Sequence, residues 1–152
     1  MSEKLYLEDI FVGQRFVTGE RQVTAEEIKT FAKAYDPQPF HTDEVLAKDT
    51  FFGGLAASGW LTAALTMRLQ IDGGPRIAGG MIGAGGHVSW PRPVRPGDTL
   101  RVESEVTEIT PSRSRPERGF ITLKSETKNQ NNEVVQIFTV KLLVWRRPEY
   151  GF

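Results

Sequence analysis

The sequence predicts an α+β domain in which one buried helix packs against an antiparallel sheet. Three observations carry this. The run from Ser58 to Leu69 has no charge until Arg68 and is rich in Ala and Leu, and a helix apolar nearly all round is a buried one. Two long strand-like runs, Phe120 to Lys128 and Val134 to Trp145, are separated by Asn129-Gln130-Asn131-Asn132, a hairpin turn. Leu100, Val102 and Val106 alternate with polar residues as far as Ile109, as in a strand with one solvated face.

The remaining elements follow in order. Phe11-Val12-Gly13-Gln14 reads as an opening turn and Phe16 to Val23 as a short strand. Thr24-Ala25-Glu26-Glu27 is a capping box, with Thr24 at the helix start and Glu27 reaching back. Ile28, Phe31, Ala32 and Tyr35 continue at helical spacing as one apolar stripe, and Pro37 ends that helix. Thr42 is expected to cap a second, short helix through Val45 and Leu46. Phe51-Phe52-Gly53-Gly54 reads as a loop with two exposed aromatics. A glycine-rich stretch, 79 to 86, precedes a strand from His87 to Trp90. Pro91 to Asp98 is a turn-heavy connection, and Pro111 to Arg118 is a polar, basic loop.

Composition narrows the function. With 152 residues, one domain over 1–152 is expected, and 39% hydrophobic residues suffice for a core. Lys+Arg and Asp+Glu are both 19, so the balanced charge argues against a nucleic-acid partner. The absence of cysteine excludes disulfide scaffolds and thiol catalysis. Two histidines, His41 and His87, argue against a zinc site, and His41-Thr42-Asp43 lacks a third ligand. The chain opening leads into no signal-like apolar run, and no stretch reaches the about 18 apolar residues that span a bilayer. A soluble, cytoplasmic protein without a membrane partner is expected.

The most informative stretch is Tyr35-Asp36-Pro37-Gln38-Pro39-Phe40-His41-Thr42-Asp43. It sets an acid and an imidazole five residues apart on a segment that two prolines keep from regular helix. A carboxylate and a histidine suffice for proton transfer on a water molecule. The same residues also fit a turn cap at Asp36 and a packed surface histidine at His41. Gly59 opens the charge-free helix, where free N–H donors and the helix dipole can polarise a carbonyl oxygen. On these residues alone, Ser58 as a plain N-cap with Gly59 present for packing is the favoured reading. Ser58 is not in a nucleophile elbow, since position 56 is Ala. The glycines at 79, 80, 83, 85 and 86 precede a strand and lack a following Lys-Ser/Thr pair, so bulges and close backbone contact are expected there, not a phosphate loop. Arg92, Arg95, Arg113, Arg115 and Arg118 fit either a solvated face or contacts to the phosphates of a thioester carrier.

Taken together, these pieces resemble a known family. Asp36-Pro37-Gln38-Pro39-Phe40-His41 is similar to the hydratase motif of the MaoC-like dehydratases, the (R)-specific enoyl-CoA hydratases: Asp, any residue, Asn, Pro, an aliphatic residue, His. The family's oxyanion glycine lies eighteen residues beyond the histidine, which is the position of Gly59. Pro93-Val94-Arg95-Pro96-Gly97-Asp98 looks like the family's later turn before a strand. The resemblance covers roughly Leu7 to Val144. It implies a hot-dog fold, a long helix wrapped by an antiparallel sheet, usually dimeric, which also suits the limited shielding of one small sheet. It implies that Asp36 and His41 hold water against the β-carbon of a 2-enoyl thioester while the Gly59 N–H takes charge on the thioester oxygen. The substrate would be an acyl-CoA or an acyl-carrier-protein thioester, with no cofactor. Gln38 stands in place of Asn, Tyr35 in place of a common glycine, and Ser58 in place of a frequent histidine. Phe40, Phe51, Phe52, Ser58 and Trp60 are the expected substrate-binding residues. A non-catalytic acyl-thioester-binding subunit and a hot-dog thioesterase are the alternatives.

Overall fold

The computed structural model describes residues 3–148. The strands are β1 (Arg15–Val17), β2 (Arg21–Gln22), β3 (Ile82–Ser89), β4 (Thr99–Pro111), β5 (Arg118–Lys128) and β6 (Val134–Trp145). The helices are α1 (Ala25–Tyr35), α2 (Pro39–Thr42), α3 (Glu44–Ala47) and α4 (Gly59–Gly73). The strands form one antiparallel sheet in the order β1-β4-β5-β6-β3, and β2 also pairs with β4.

Helix α4 packs on the inner face of this sheet. Leu61, Leu65 and Leu69 recur every fourth residue and join Leu100, Val102 and Val135 in the core, each buried leucine worth about 2 kcal/mol. A second cluster, with Leu7, Ile77, Val106, Ile121, Leu123 and Leu142, fills the other end of the sheet. Beside the leucine stripe runs a buried polar one, Thr62, Thr66 and Gln70. The Gln70 amide donates to Ser104 Oγ (3.1 Å) and Ser125 Oγ (2.7 Å), and Thr66 shares a 2.6 Å bond with Thr127. Thr66 and Gln70 thereby have partners, which offsets the desolvation cost of placing them inside.

Several expectations are corrected. The strand expected over Phe16 to Val23 is split, because the Thr18 hydroxyl accepts the Val102 N–H and interrupts the ladder. Thr24 does cap α1, accepting from Glu27 N at 3.1 Å, but the Glu27 carboxylate pairs with Arg21 at 2.7 Å instead of reaching back. Tyr35 leaves the apolar stripe of α1 and is 77% exposed. The proline segment does hold a helical turn: Pro39 is the first residue of α2, where a missing N–H costs nothing. Asp43, not Thr42, caps α3, accepting from Val45 N and Leu46 N, and both Val45 and Leu46 are exposed. Helix α4 continues past Leu69 to Gly73 and leaves Trp60, Met67 and Ile71 exposed, so only part of its apolar surface is covered by this chain.

The glycines at 83, 85 and 86 lie inside β3 and do not precede it. They serve the expected purposes: the register shifts between Gly83 and Gly85, and a Cβ on Gly86 would come within 2.6 Å of the Thr139 carbonyl oxygen. The β5–β6 hairpin turns where expected, with Asn132 at φ 61° and the Asn129 carboxamide accepting from Asn131 N and Glu133 N.

Candidate active site

The acid and the imidazole meet at the end of α1. Asp36 is the C-cap of that helix and leaves helical geometry (φ −151°, ψ 65°) at the residue before Pro37, where the proline ring disfavours the α region. The chain then turns through Pro39 into α2, and His41 lands buried, 5% exposed. His41 Nε2 lies 3.4 Å from Asp36 Oδ2. On the other side of the ring, His41 Nδ1 is 2.7 Å from the Ala56 carbonyl oxygen. A carbonyl only accepts, so Nδ1 carries the hydrogen, and Nε2 is the nitrogen that faces Asp36. The Ala56 N–H donates back to the Phe40 carbonyl at 3.0 Å, and Ala57 N–H to Val94 O at 2.9 Å. The segment before α4 is thus stitched to the histidine turn on one side and to the loop after β3 on the other.

Burial alone raises the Asp36 pKa. Hydrogen bonds from Gln38 and Ser58, together with the nearby His41, outweigh it and hold the carboxyl below its ordinary 3.8. Gln38, where the hydratase motif has Asn, uses its longer side chain to donate to Asp36 Oδ1.

A cavity of about 360 Å³ opens beside this pair, lined by His41, Phe52, Gly59, Thr62, Trp90 and Val94, with Phe51 and Arg92 also on its wall. Gly59 is the first residue of α4, so its N–H has no acceptor within the helix. Phe51 is 97% exposed, and Arg92 is exposed and paired to Glu133 at 3.2 Å. The structure therefore brings His41, Gly59, Phe51 and Phe52 to one cavity, with Asp36 against the imidazole.

The other expected binding residues stand off that wall. The Phe40 ring packs edge-on against His41 at 4.5 Å and tilted on Phe52 at 5.0 Å, buttressing the imidazole. Ser58 is buried, caps α4 by accepting from Trp60 N at 3.3 Å, and hydrogen-bonds Asp36. Trp60 is 61% exposed and meets Trp90 edge to face at 5.1 Å.

Sequence reasoning passed over Trp90, and it set Arg95 on a solvated or phosphate-contacting face, which the structure corrects. Trp90 covers Gly59 so closely that a Cβ there would sit 2.6 Å from its ring. Arg95 spreads its guanidinium over three backbone carbonyls, Phe52 (2.5 Å), Gly54 (3.1 Å) and Leu55 (3.3 Å), and so fixes the aromatic loop. A bulky aromatic just before the Pro91-Arg92-Pro93 turn was the only signal for the first, and Arg95 lies in the Pro93-to-Asp98 turn motif, which does not reveal the carbonyls it serves. The other arginines of the set are dispersed, with Arg118 stacked over the Trp145 ring.

Comparison with known proteins agrees with this architecture. The family model described as "MaoC like domain" matches residues 10–129. Among solved structures, the MaoC-like dehydratase from Rhodospirillum rubrum superposes with a TM-score of 0.93 at 56% identity, covering 95% of this chain and 99% of that one. The uncharacterized protein YdeM of Bacillus subtilis is 36% identical over 141 residues, 91% of this chain and 96% of its own. The 3-hydroxybutyryl-CoA dehydratase of Methylorubrum extorquens is 33% identical over 113 residues, 73% of this chain and 69% of its own. A central helix on a six-stranded antiparallel sheet, the hot-dog arrangement, with this family match over most of its length, makes the chain a member of the MaoC-like dehydratase family.

Proposed function

We propose that this protein is a hydratase/dehydratase that adds water to a 2-enoyl thioester, or removes it from the 3-hydroxyacyl thioester, with acyl-CoA as the carrier. The observation that carries this is the His41 ring, fixed at Nδ1 by Ala56 O and held 3.4 Å from Asp36 at a cavity shared with Gly59. Two acceptors so spaced can bind the two hydrogens of one water. As the water oxygen bonds to the β-carbon, one of its protons passes to the pair, and a proton from the pair is delivered to the α-carbon. The thioester oxygen gathers negative charge in between, and the Gly59 N–H at the α4 N-terminus stabilises it. The dehydratase named among the relatives supports this reading.

The test is to incubate the purified protein with 2-enoyl-CoAs of several chain lengths and follow loss of the conjugated-thioester absorbance. Turnover with a 3-hydroxyacyl product is expected; no turnover across all lengths, branched acids included, sinks the proposal. Acyl-CoA binding without hydration would favour the binding-subunit alternative, and free thiol release the thioesterase.

The working unit is proposed to be a homodimer. Among the described residues β3 ends the sheet order with no strand on its other edge, and Trp60, Met67 and Ile71 on α4 are exposed. A stable monomer in sedimentation would refute it.

A further inference from the structure

Two cavities lie along α4. The larger, about 360 Å³, holds His41 and Gly59; the smaller, about 80 Å³, is lined by Trp60, Ala63, Thr66, Met67, Val88 and Phe138. Two indoles stand between them. Trp90 lies on the wall of the first cavity and Trp60 on the wall of the second, their rings 5.1 Å apart at 81°.

Trp90 is tied down. Its Nε1–H donates to Gln136 Oε1 at 2.9 Å. Gln136 is fully buried, and its amide donates to Thr66 Oγ1 at 3.1 Å, while Thr66 shares its bond with Thr127. The relay therefore runs from the indole into β6, across to α4 and on to β5. Thr66 itself lines the second cavity, so the relay ties the Trp90 wall of the first space to the wall of the second. A chain passing from the first cavity to the second must push the indole aside and leave the Gln136 carbonyl oxygen buried without a donor, a penalty that opposes opening.

We infer that Trp90, held through Gln136 and Thr66, forms the end wall of the acyl pocket and restricts the protein to short acyl thioesters, the second cavity being the continuation it blocks. This rests on the proposed function, because it places the thioester carbonyl at Gly59. The indole packs on that same glycine, so an acyl chain leaving the carbonyl runs beside the ring within its first few carbons.

Two measurements test it. Calorimetric titration with saturated butyryl-, octanoyl- and dodecanoyl-CoA reads the wall without chemistry. Turnover of crotonyl-, octenoyl- and dodecenoyl-CoA reads it in kcat/KM. The wild type is expected to prefer the shortest acyl group in both. Trp90→Ala, or Trp90→Leu if the alanine variant does not fold, should raise the octenoyl-to-crotonyl ratio about tenfold or more, on the scale of a few methylenes in a pocket. Trp90→Phe keeps most of the bulk but loses the Nε1–H that Gln136 holds, so its octenoyl-to-crotonyl ratio should fall between those of the wild type and the alanine variant. A wild type that binds dodecanoyl-CoA as well as butyryl-CoA overturns the inference, as does an unchanged ratio in the folded variants. If no enoyl-CoA is turned over, the hydratase reading fails, and the titrations still decide the wall.

Discussion

Asp36 Oδ2 stands 3.4 Å from His41 Nε2, beyond an ordinary hydrogen bond and close enough for both atoms to hold one water. A direct ion pair would occupy the two groups with each other; this spacing leaves both available to a third partner. Asp36→Asn and His41→Gln are each expected to lower kcat by about a hundredfold or more. Circular dichroism and melting should show both variants folded. Near-wild-type turnover in either would remove that residue from the mechanism.

Gly59 and Trp90 form a second pair. In Gly59→Ala the added methyl sits 2.6 Å from the indole, so the ring must move. Destabilisation of about 1–3 kcal/mol is expected, the usual cost of overpacking. Combining it with Trp90→Phe should recover part of that loss, and urea denaturation of the four proteins in the cycle measures the coupling. Strict additivity would mean the two side chains do not meet.

Arg95 serves three carbonyls at once, which a planar fork can do and an ammonium cannot. Arg95→Lys should therefore behave like Arg95→Ala, each losing about 2 kcal/mol of stability. Because those carbonyls belong to the Phe52 loop, KM should rise more than kcat falls. Full stability in the lysine variant would show that charge alone suffices.

Glu103 links folding to pH. The hydrogen bond from Lys128 holds its carboxyl below the ordinary 4.5; burial opposes this, and the charges of Lys128 and Arg101 add to it. A carboxyl with a lower pKa in the folded state than in the unfolded chain stabilises the fold fully above its unfolded value and loses that contribution as pH falls through the folded one. The melting-temperature gap between wild type and Glu103→Gln should be constant near neutrality and close below about pH 4.5. A gap that persists in acid would contradict the assignment.

Some of this was readable along the chain and some was not. Helix α4 was visible because Ser58 is a good cap and no charge follows until Arg68. β5 and β6 were visible because a turn of four amides separates two strand-like runs. Asp36 and His41 were readable because proline restricts the backbone between them. The polar stripe of Thr66 and Gln70 was not. Periodicity counts such residues as outward-facing, and only the Ser, Thr and Gln side chains on distant strands make their burial favourable. The roles of Trp90 and Arg95 were missed for the same reason: each acts on residues more than thirty positions away, Gly59 and the Phe52 loop, which no local pattern records. Tyr35, Val45 and Leu46 show the reverse, apolar side chains at helical spacing that face outward.

The partner of His41 Nδ1 has a further meaning. It is the main-chain oxygen of residue 56, not a side chain. No codon change at position 56 can delete that acceptor, so the imidazole keeps its tautomer through any substitution that leaves the local path intact. The base half of the pair is thus insulated from genetic drift, whereas the acid half depends on the side chains of Gln38 and Ser58. Divergence among relatives in how they tune this chemistry should collect around Asp36 and spare the histidine.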